Sequence, residues 1–287
     1  MSDFIEALCN PEILFLRYAL LVGLLASISF GVIGTYVVAR RISYIAGAIA
    51  HSVLGGIGVG LFLQRQCGVR WLDPMFGAVV AALGAAAVIG LVSLHARQRE
   101  DTVIGAVWAI GMAVGLLFVA KTPGYVDPMS YLFGNILLLS KSDLWLVGVV
   151  DVITAGLGIL FYHKLLAVCF DHEHLRLRGV HADAYYIMLL MMTALTVVLM
   201  VNIVGVVMVI ALITLPAAVA GFFAQRLWQM MVLAVLFSMV FTTTGIGFSY
   251  MLDLPTGPTI IVFAGAVFLG CAAVDRLRSL IKRRSRM

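Results

Sequence analysis

His51 is the residue in this chain whose type and place most invite chemistry. It lies in an apolar run, ISYIAGAIAHSVLGG, where a polar side chain usually faces the protein interior and carries a function by default. A neutral imidazole is a borderline ligand suited to zinc, manganese or iron in passage. A histidine hydrogen-bonded to neighbouring backbone or serine fits the residues equally well. Ser52 beside it is either a second polar group on a path or a helix-packing serine. A second polar concentration, FDHEHLRLRGVHADA at 170–184, holds His172, Glu173, His174 and His181, but the spacing is loose and Arg176 and Arg178 run through it. A short amphipathic helix ended by Gly179 suits it better than a metal cluster, and such a helix suits docking on a soluble partner; a solvated loop is the plainer alternative. Asp253, in DLPTGPT, either draws cations to a mouth or sits in an ordinary solvated turn. Pro216 interrupts a continuous apolar run and must kink or end a helix there.

Enzymatic chemistry finds little support. The chain has no GxxxxGK[ST] phosphate loop and no HExxH pair. His51 and Ser52 are adjacent on a helix, so they point in different directions and make a weak catalytic couple. Cys9, Cys67, Cys169 and Cys271 are widely spaced without a CxxC pair, which fits buried small hydrophobes or bystanders rather than disulfides or a zinc knuckle. Asp3 and Glu6 precede the first apolar run, so no secretory leader is expected.

The elements that position these residues are membrane helices. Of 287 residues, 63% are hydrophobic and 11% charged, where a soluble domain carries about 25% charged residues. Long uninterrupted apolar runs favour helices over the roughly ten-residue alternating segments of a barrel. A span needs about 20 apolar residues, and the sequence offers 18–39, 43–64, 75–95, 103–120, 144–163, 184–202, 203–222, 228–248 and 257–274. The expected fold is therefore all-α: a polytopic transmembrane helix bundle of about nine spans, forming one transmembrane domain over 1–287. Eight or ten spans result from reading 203–222 or 129–140 differently. Only Asn202 marks the join before 203–222, which is either two tightly turned spans or one broken span. The segment 121–143 reads as an external loop with a short interfacial or re-entrant helix near 129–140.

Charge supports this topology. With the N-terminus outside, the cytoplasmic face receives Arg40, Arg41, Arg97, Arg99, Lys164, Arg176, Arg178, Arg226 and six basic residues from Arg276 to Arg286. The other face keeps Arg17, Arg65, Arg70, Lys121 and Lys141, a minority of the 19 in the chain. The basic tail over 275–287 reads as a cytoplasmic anchor, with no nucleic-acid partner expected. Small-residue clusters such as GAVVAALGAAAVIG and GAIAHSVLGGIGVG allow close helix approach. The mid-span regions read as almost free of charge.

Five stretches, RRISYIAGAIAHSVLGGIGVG, DPMSYLFGNILL, FDHEHLRLRGV, VGVVMVIALITLPAAVA and LDLPTGPTIIV, occur in an order and at separations that resemble the membrane permease subunit of bacterial zinc, manganese or iron ABC importers. The likeness runs from about residue 14 to 274. It implies a multi-pass protein of the bacterial cytoplasmic (inner) membrane, a homodimer with a second permease copy around the path, a cytoplasmic ABC ATPase dimer, and a periplasmic or surface metal-binding protein. The divalent metal is then substrate, and no cofactor is permanently bound. FDHEHLRLRGV matches the segment that couples to the ATPase, which makes Asp171, Glu173, Arg176 and Gly179 the transmission candidates over 170–181; Pro216 lies in the second matching stretch. His51 matches the pore histidine and would be a transient metal ligand, with Ser52 and, more weakly, Asp253 along the path. The family commonly places an aspartate four residues before that histidine, and here the position is Gly47.

The expected function is thus the pore subunit of an ATP-driven importer of a divalent transition metal, zinc first and manganese or iron close behind. It has no chemistry of its own. A secondary metal-ion transporter would need internal repeats and an ionisable coupling residue within the spans. A non-transporting membrane assembly protein would leave transport indifferent to His51.

Overall fold

A computed structural model describes residues 14–69, 73–95, 100–124, 128–134, 141–171, 175 and 177–284. These form helices α1 (Leu14–Ala39), α2 (Ser43–Arg65), α3 (Pro74–His95), α4 (Glu100–Lys121), α5 (Pro128–Phe133), α6 (Lys141–Leu160), α7 (Tyr162–Phe170), α8 (Ala182–Val204), α9 (Val206–Gly221), α10 (Leu227–Leu252) and α11 (Thr256–Arg284). Among the described residues there is no strand. Nine of the helices are long and apolar enough to cross a membrane.

Local sequence sets the helix ends. Asp73 precedes Pro74, and its carboxylate accepts the Met75 N–H at 2.7 Å, an N-cap followed by a proline whose missing donor costs nothing there. Gln229 reaches back to the backbone N–H groups of Gln225 and Arg226 at 3.2 Å each, closing the start of α10. Asp253 ends α10 in the left-handed region at φ 52°. The Ser249 hydroxyl donates to the Leu254 carbonyl at 2.6 Å and meets the Thr256 hydroxyl at 2.8 Å, so DLPTGPT is a tight turn.

The join between 184–202 and 203–222 is a break at Gly205, three residues beyond Asn202, with φ 85°. Only glycine adopts that conformation without steric cost. Here the chain passes from α8, which packs on α3, α2 and α6, to α9, which packs on α10, α1 and α11. The segment expected to hold a short interfacial or re-entrant helix holds α5, followed by Gly134; 135–140 lie outside the described residues. Its end is seated in the bundle. A Cβ on Gly134 would lie 2.6 Å from the Val204 carbonyl oxygen, and one on Gly257 would lie 2.8 Å from that of Phe133.

These contacts sort the connections into two ends. The α5 segment, the Gly205 break and the start of α11 meet at one end, where Arg65 also donates to the Pro123 carbonyl at 3.4 Å. At the other, the Arg40 guanidinium stands 5.6 Å over the Tyr186 ring, and the Ser93 hydroxyl contacts both Tyr186, at 3.2 Å, and the Glu100 carboxylate. Alternate connections fall at alternate ends, as nine crossings require. α11 continues as helix through Arg284, into the basic tail.

The exterior is apolar, as lipid requires. Trp145, Val152, Leu160, Val262 and Leu269 are all more than 60% exposed. α2 is the inner helix, with 83% of its central stretch buried against 17% for α4 and α11.

Cys67 is exposed at the end of α2, whereas Cys169 is buried on α7. Burial pushes the Cys169 thiol up to about 12, with the Arg40 charge pulling weakly the other way. Since the thiolate is the reactive form, a membrane-impermeant maleimide at neutral pH should label Cys67 from outside in a Cys9→Ser, Cys271→Ser background. Cys169 should stay unlabelled until the chain is unfolded, as read by peptide mass spectrometry.

Candidate functional site around His51

α2 reaches its central place through glycine. A Cβ on Gly55 would lie 2.7 Å from the Gly111 carbonyl oxygen, and one on Gly58 2.9 Å from the Gly115 Cα, so α2 and α4 touch backbone to backbone. Where lipid gives no hydrophobic force between helices, such contacts are the main packing device. They bring α4 against the face of α2 that carries His51.

His51 is 9% exposed, and its Nδ1 has no hydrogen-bond partner. Its ring stacks on Trp108 of α4 with centroids 4.6 Å apart and planes 22° from parallel. A buried polar atom without a partner costs about 1–3 kcal/mol, which is the state expected of a ligand atom between engagements. The backbone-or-serine reading for His51 fails for this nitrogen. Ser52 behaves differently. Its hydroxyl donates to the Ala48 carbonyl at 2.9 Å, with the Val107 carbonyl at 3.5 Å, and it lines an apolar groove of about 550 Å³ between α2, α3 and α4. Its hydroxyl is thus engaged with backbone carbonyls beside that groove.

One turn before His51 the position is Gly47, and Trp108 fills the space a side chain there would need: a Cβ would lie 2.6 Å from the Trp108 Cζ3. Among the described residues no group of three or more His, Cys, Asp or Glu could hold a metal ion. The position one turn before the imidazole therefore supplies no carboxylate. Trp108 escaped the sequence reading, although a tryptophan within a span, away from the interfacial belts where that residue concentrates, was the available signal.

The other candidates are scattered. Asp171 is exposed at the end of α7, and Gly179 at φ 72° ends the turn that follows; Glu173 and Arg176 lie outside the described residues. Pro216 is buried inside α9, five residues before its end, so it shapes the bundle interior rather than an exposed surface. Asp253 is exposed in the α10–α11 turn, at the end opposite Asp171. His181 is exposed before α8 and not grouped with His51.

The expectation of almost no mid-span charge has one exception. Asp151, in α6, is 5% exposed and bonded to Ser29 of α1.

Comparison with known proteins fits this architecture. Residues 12–275 match the model of the ABC 3 transport family. The chain belongs to the ABC 3 transport family. It is 35% identical over 92% of its length to a probable metal transport system membrane protein of Chlamydia pneumoniae, covering 90% of that protein. It is 30% identical to the manganese transport system membrane protein MntC of Listeria monocytogenes, over 92% of this chain and 91% of that one. Its fold is similar to that of PsaBC from Streptococcus pneumoniae, solved in complex with Fab, with a TM-score of 0.82, 27% identity and 94% of each chain covered. As an ABC 3 family member the chain is a membrane pore subunit of a metal ABC transporter, non-catalytic, with the ATPase on a separate chain.

Gly47→Asp should destabilise the bundle by about 1–3 kcal/mol, the range for overpacking a filled site. Adding Trp108→Ala should recover much of the loss, because the carboxylate then has room. Thermal unfolding of the purified single and double variants reads this; equal destabilisation in both would show that Trp108 is not what fills the position.

Proposed function

We propose that this permease imports a divalent transition metal through a path on which His51 is a transient ligand. The observation that carries the reading is a buried, unpartnered imidazole nitrogen on the innermost helix of a metal-transporter pore subunit. The relatives' names support manganese among the candidate ions, whereas an imidazole with glycine in place of a carboxylate one turn away favours zinc, the softer of the two. A sparse donor set suits a carrier, because an ion held too firmly would not leave.

Membership of the family supports the rest of the proposed assembly. Two copies of the chain form the path, which lets a second His51 contribute. An ATPase dimer docks at the end that carries Asp171 and Gly179, and a surface or periplasmic protein delivers the ion at the end that carries Asp253. The membrane is the bacterial inner membrane, which the bias of basic residues toward one end supports. Asp171, Glu173, Arg176 and Gly179 transmit the ATPase's motion, and Pro216 shapes the helix that receives it.

In proteoliposomes holding permease, its ATPase and loaded binding protein, ATP-dependent uptake should favour one of zinc, manganese or iron. It should fall at least about tenfold in His51→Ala, the loss of about 1.4 kcal/mol of ligand interaction. Uptake that is intact without His51 would remove it from the path. No ATP-dependent uptake by a verified complex would remove the importer reading.

Gly179 offers a second test. A Cβ in the left-handed region costs about 1–2 kcal/mol, so Gly179→Val should shift the 170–181 turn. ATP hydrolysis should persist while uptake per ATP falls; proportional loss of both would argue against a coupling role.

A further inference from the structure

The bundle holds a second buried polar site that the metal path does not use, between α1 and α6. Asp151 is 5% exposed in the middle of a helix that crosses the membrane. One carboxylate oxygen, Oδ1, meets the Ser29 hydroxyl and, at 3.3 Å, the Ser29 N–H; the other, Oδ2, has no partner. The Ser29 hydroxyl also lies 2.8 Å from the Thr154 hydroxyl, which donates to the Val150 carbonyl at 2.7 Å.

The protons of this chain can be counted. Three links run in series: Asp151 to Ser29, Ser29 to Thr154, and Thr154 to the Val150 carbonyl. Two hydroxyls supply two protons. The carbonyl has none, so the Thr154 proton is committed to it, and the single Ser29 proton must serve the remaining two links. With Asp151 ionised, one of those contacts would press oxygen lone pairs together without a proton between them. A proton on Oδ1 completes the series, with Asp151 donating to Ser29, Ser29 to Thr154, and Thr154 to Val150. The same proton accounts for Oδ2. An unpartnered carbonyl-type oxygen of a neutral acid is tolerable in an apolar interior, whereas an unpartnered ionised oxygen is costly.

Among the described residues, the cations on neighbouring elements stand turns away from the carboxylate. The elements packed on α6 are α1, α7 and α8. Arg17 and Tyr18 of α1 lie eleven or more residues from Ser29, at least about 16 Å along the axis. Tyr36 is seven residues on, with its hydroxyl committed to the Gly158 carbonyl at 2.7 Å. On α6 itself, Lys141 and Asp143 are eight or more residues from Asp151, about 12 Å or further. Tyr162, His163, Lys164 and Cys169 of α7 follow the end of α6, and Asp183, Tyr185 and Tyr186 sit in the first turns of α8.

We propose that Asp151 is a proton-binding site, a neutral carboxylic acid whose hydrogen-bond chain clasps α6 to α1. The occupant is a proton rather than a metal ion, because the three side-chain oxygens are already ordered by hydrogen bonds among themselves and the Val150 carbonyl. The clasp sits on the same seam as the Tyr36–Gly158 contact, so two cross-helix hydrogen bonds fix α6, an element whose other faces are largely apolar and exposed.

The test is infrared difference spectroscopy on the full-length permease in lipid nanodiscs at neutral pH. Wild type minus Asp151→Asn should show the C=O band of a protonated carboxylic acid, and Ser29→Ala, which removes the acceptor, should shift that band. Absence of an acid band in the wild type would overturn the proposal. So would a band that Ser29→Ala leaves in place, and this holds even where Asp151→Asn fails to assemble. Titrating sodium chloride against the wild type distinguishes the other occupant: loss of the acid band on adding sodium ion would overturn the proton in favour of a metal ion.

Discussion

The structure depends on how closely α2 approaches its neighbours. In a membrane, water cannot drive helices together, so the bundle is held by backbone proximity and by the few polar groups that find partners. Glycines at 55 and 58 against Gly111 and Gly115 let α4 lie on α2 with almost no side chain between them. That approach stacks Trp108 on His51 and closes the space beside Gly47. The same contact therefore builds the centre of the fold and sets the donor environment of the imidazole. A bulkier α2 would both expose His51 and admit other donors beside it.

His51 and Asp151, two ionisable side chains buried within spans, answer the cost of their burial differently. His51 keeps one nitrogen without a partner, on a helix at the centre of a pore subunit, where a passing ion can supply what the protein does not. Asp151 is tied into a chain of hydroxyls on the other side of the bundle. Many of the remaining buried hydroxyls are satisfied within their own helices: Ser27, Thr35, Thr193 and Thr196 each donate to a carbonyl four residues back. Such internal bonds keep the polar groups satisfied without adding cross-links, which leaves the Ser29–Asp151 and Tyr36–Gly158 contacts as the notable ties between α1 and α6.

Much of this was legible in the sequence because hydropathy acts over whole segments. Nine spans and the short helix after residue 127 follow from apolar length and from glycine and proline positions. The Gly205 break was displaced by three residues from the expected join because Asn202 is the polar residue, whereas the conformation requires the glycine. What the sequence could not show was tertiary: that an aromatic ring from α4 would occupy the space beside Gly47, and that Asp151 would meet Ser29, more than a hundred residues away. Pro216 marked a kink or an end in the apolar run, and α9 continues through it and buries it.

The central claim is that the imidazole of His51 enters the coordination shell of the transported ion. X-ray absorption spectroscopy of the zinc- or manganese-loaded permease complex measures that shell directly. The account predicts an imidazole nitrogen scattering contribution in the wild type that disappears in His51→Ala. A shell of oxygen donors alone, or a spectrum that is the same in both proteins, would contradict it.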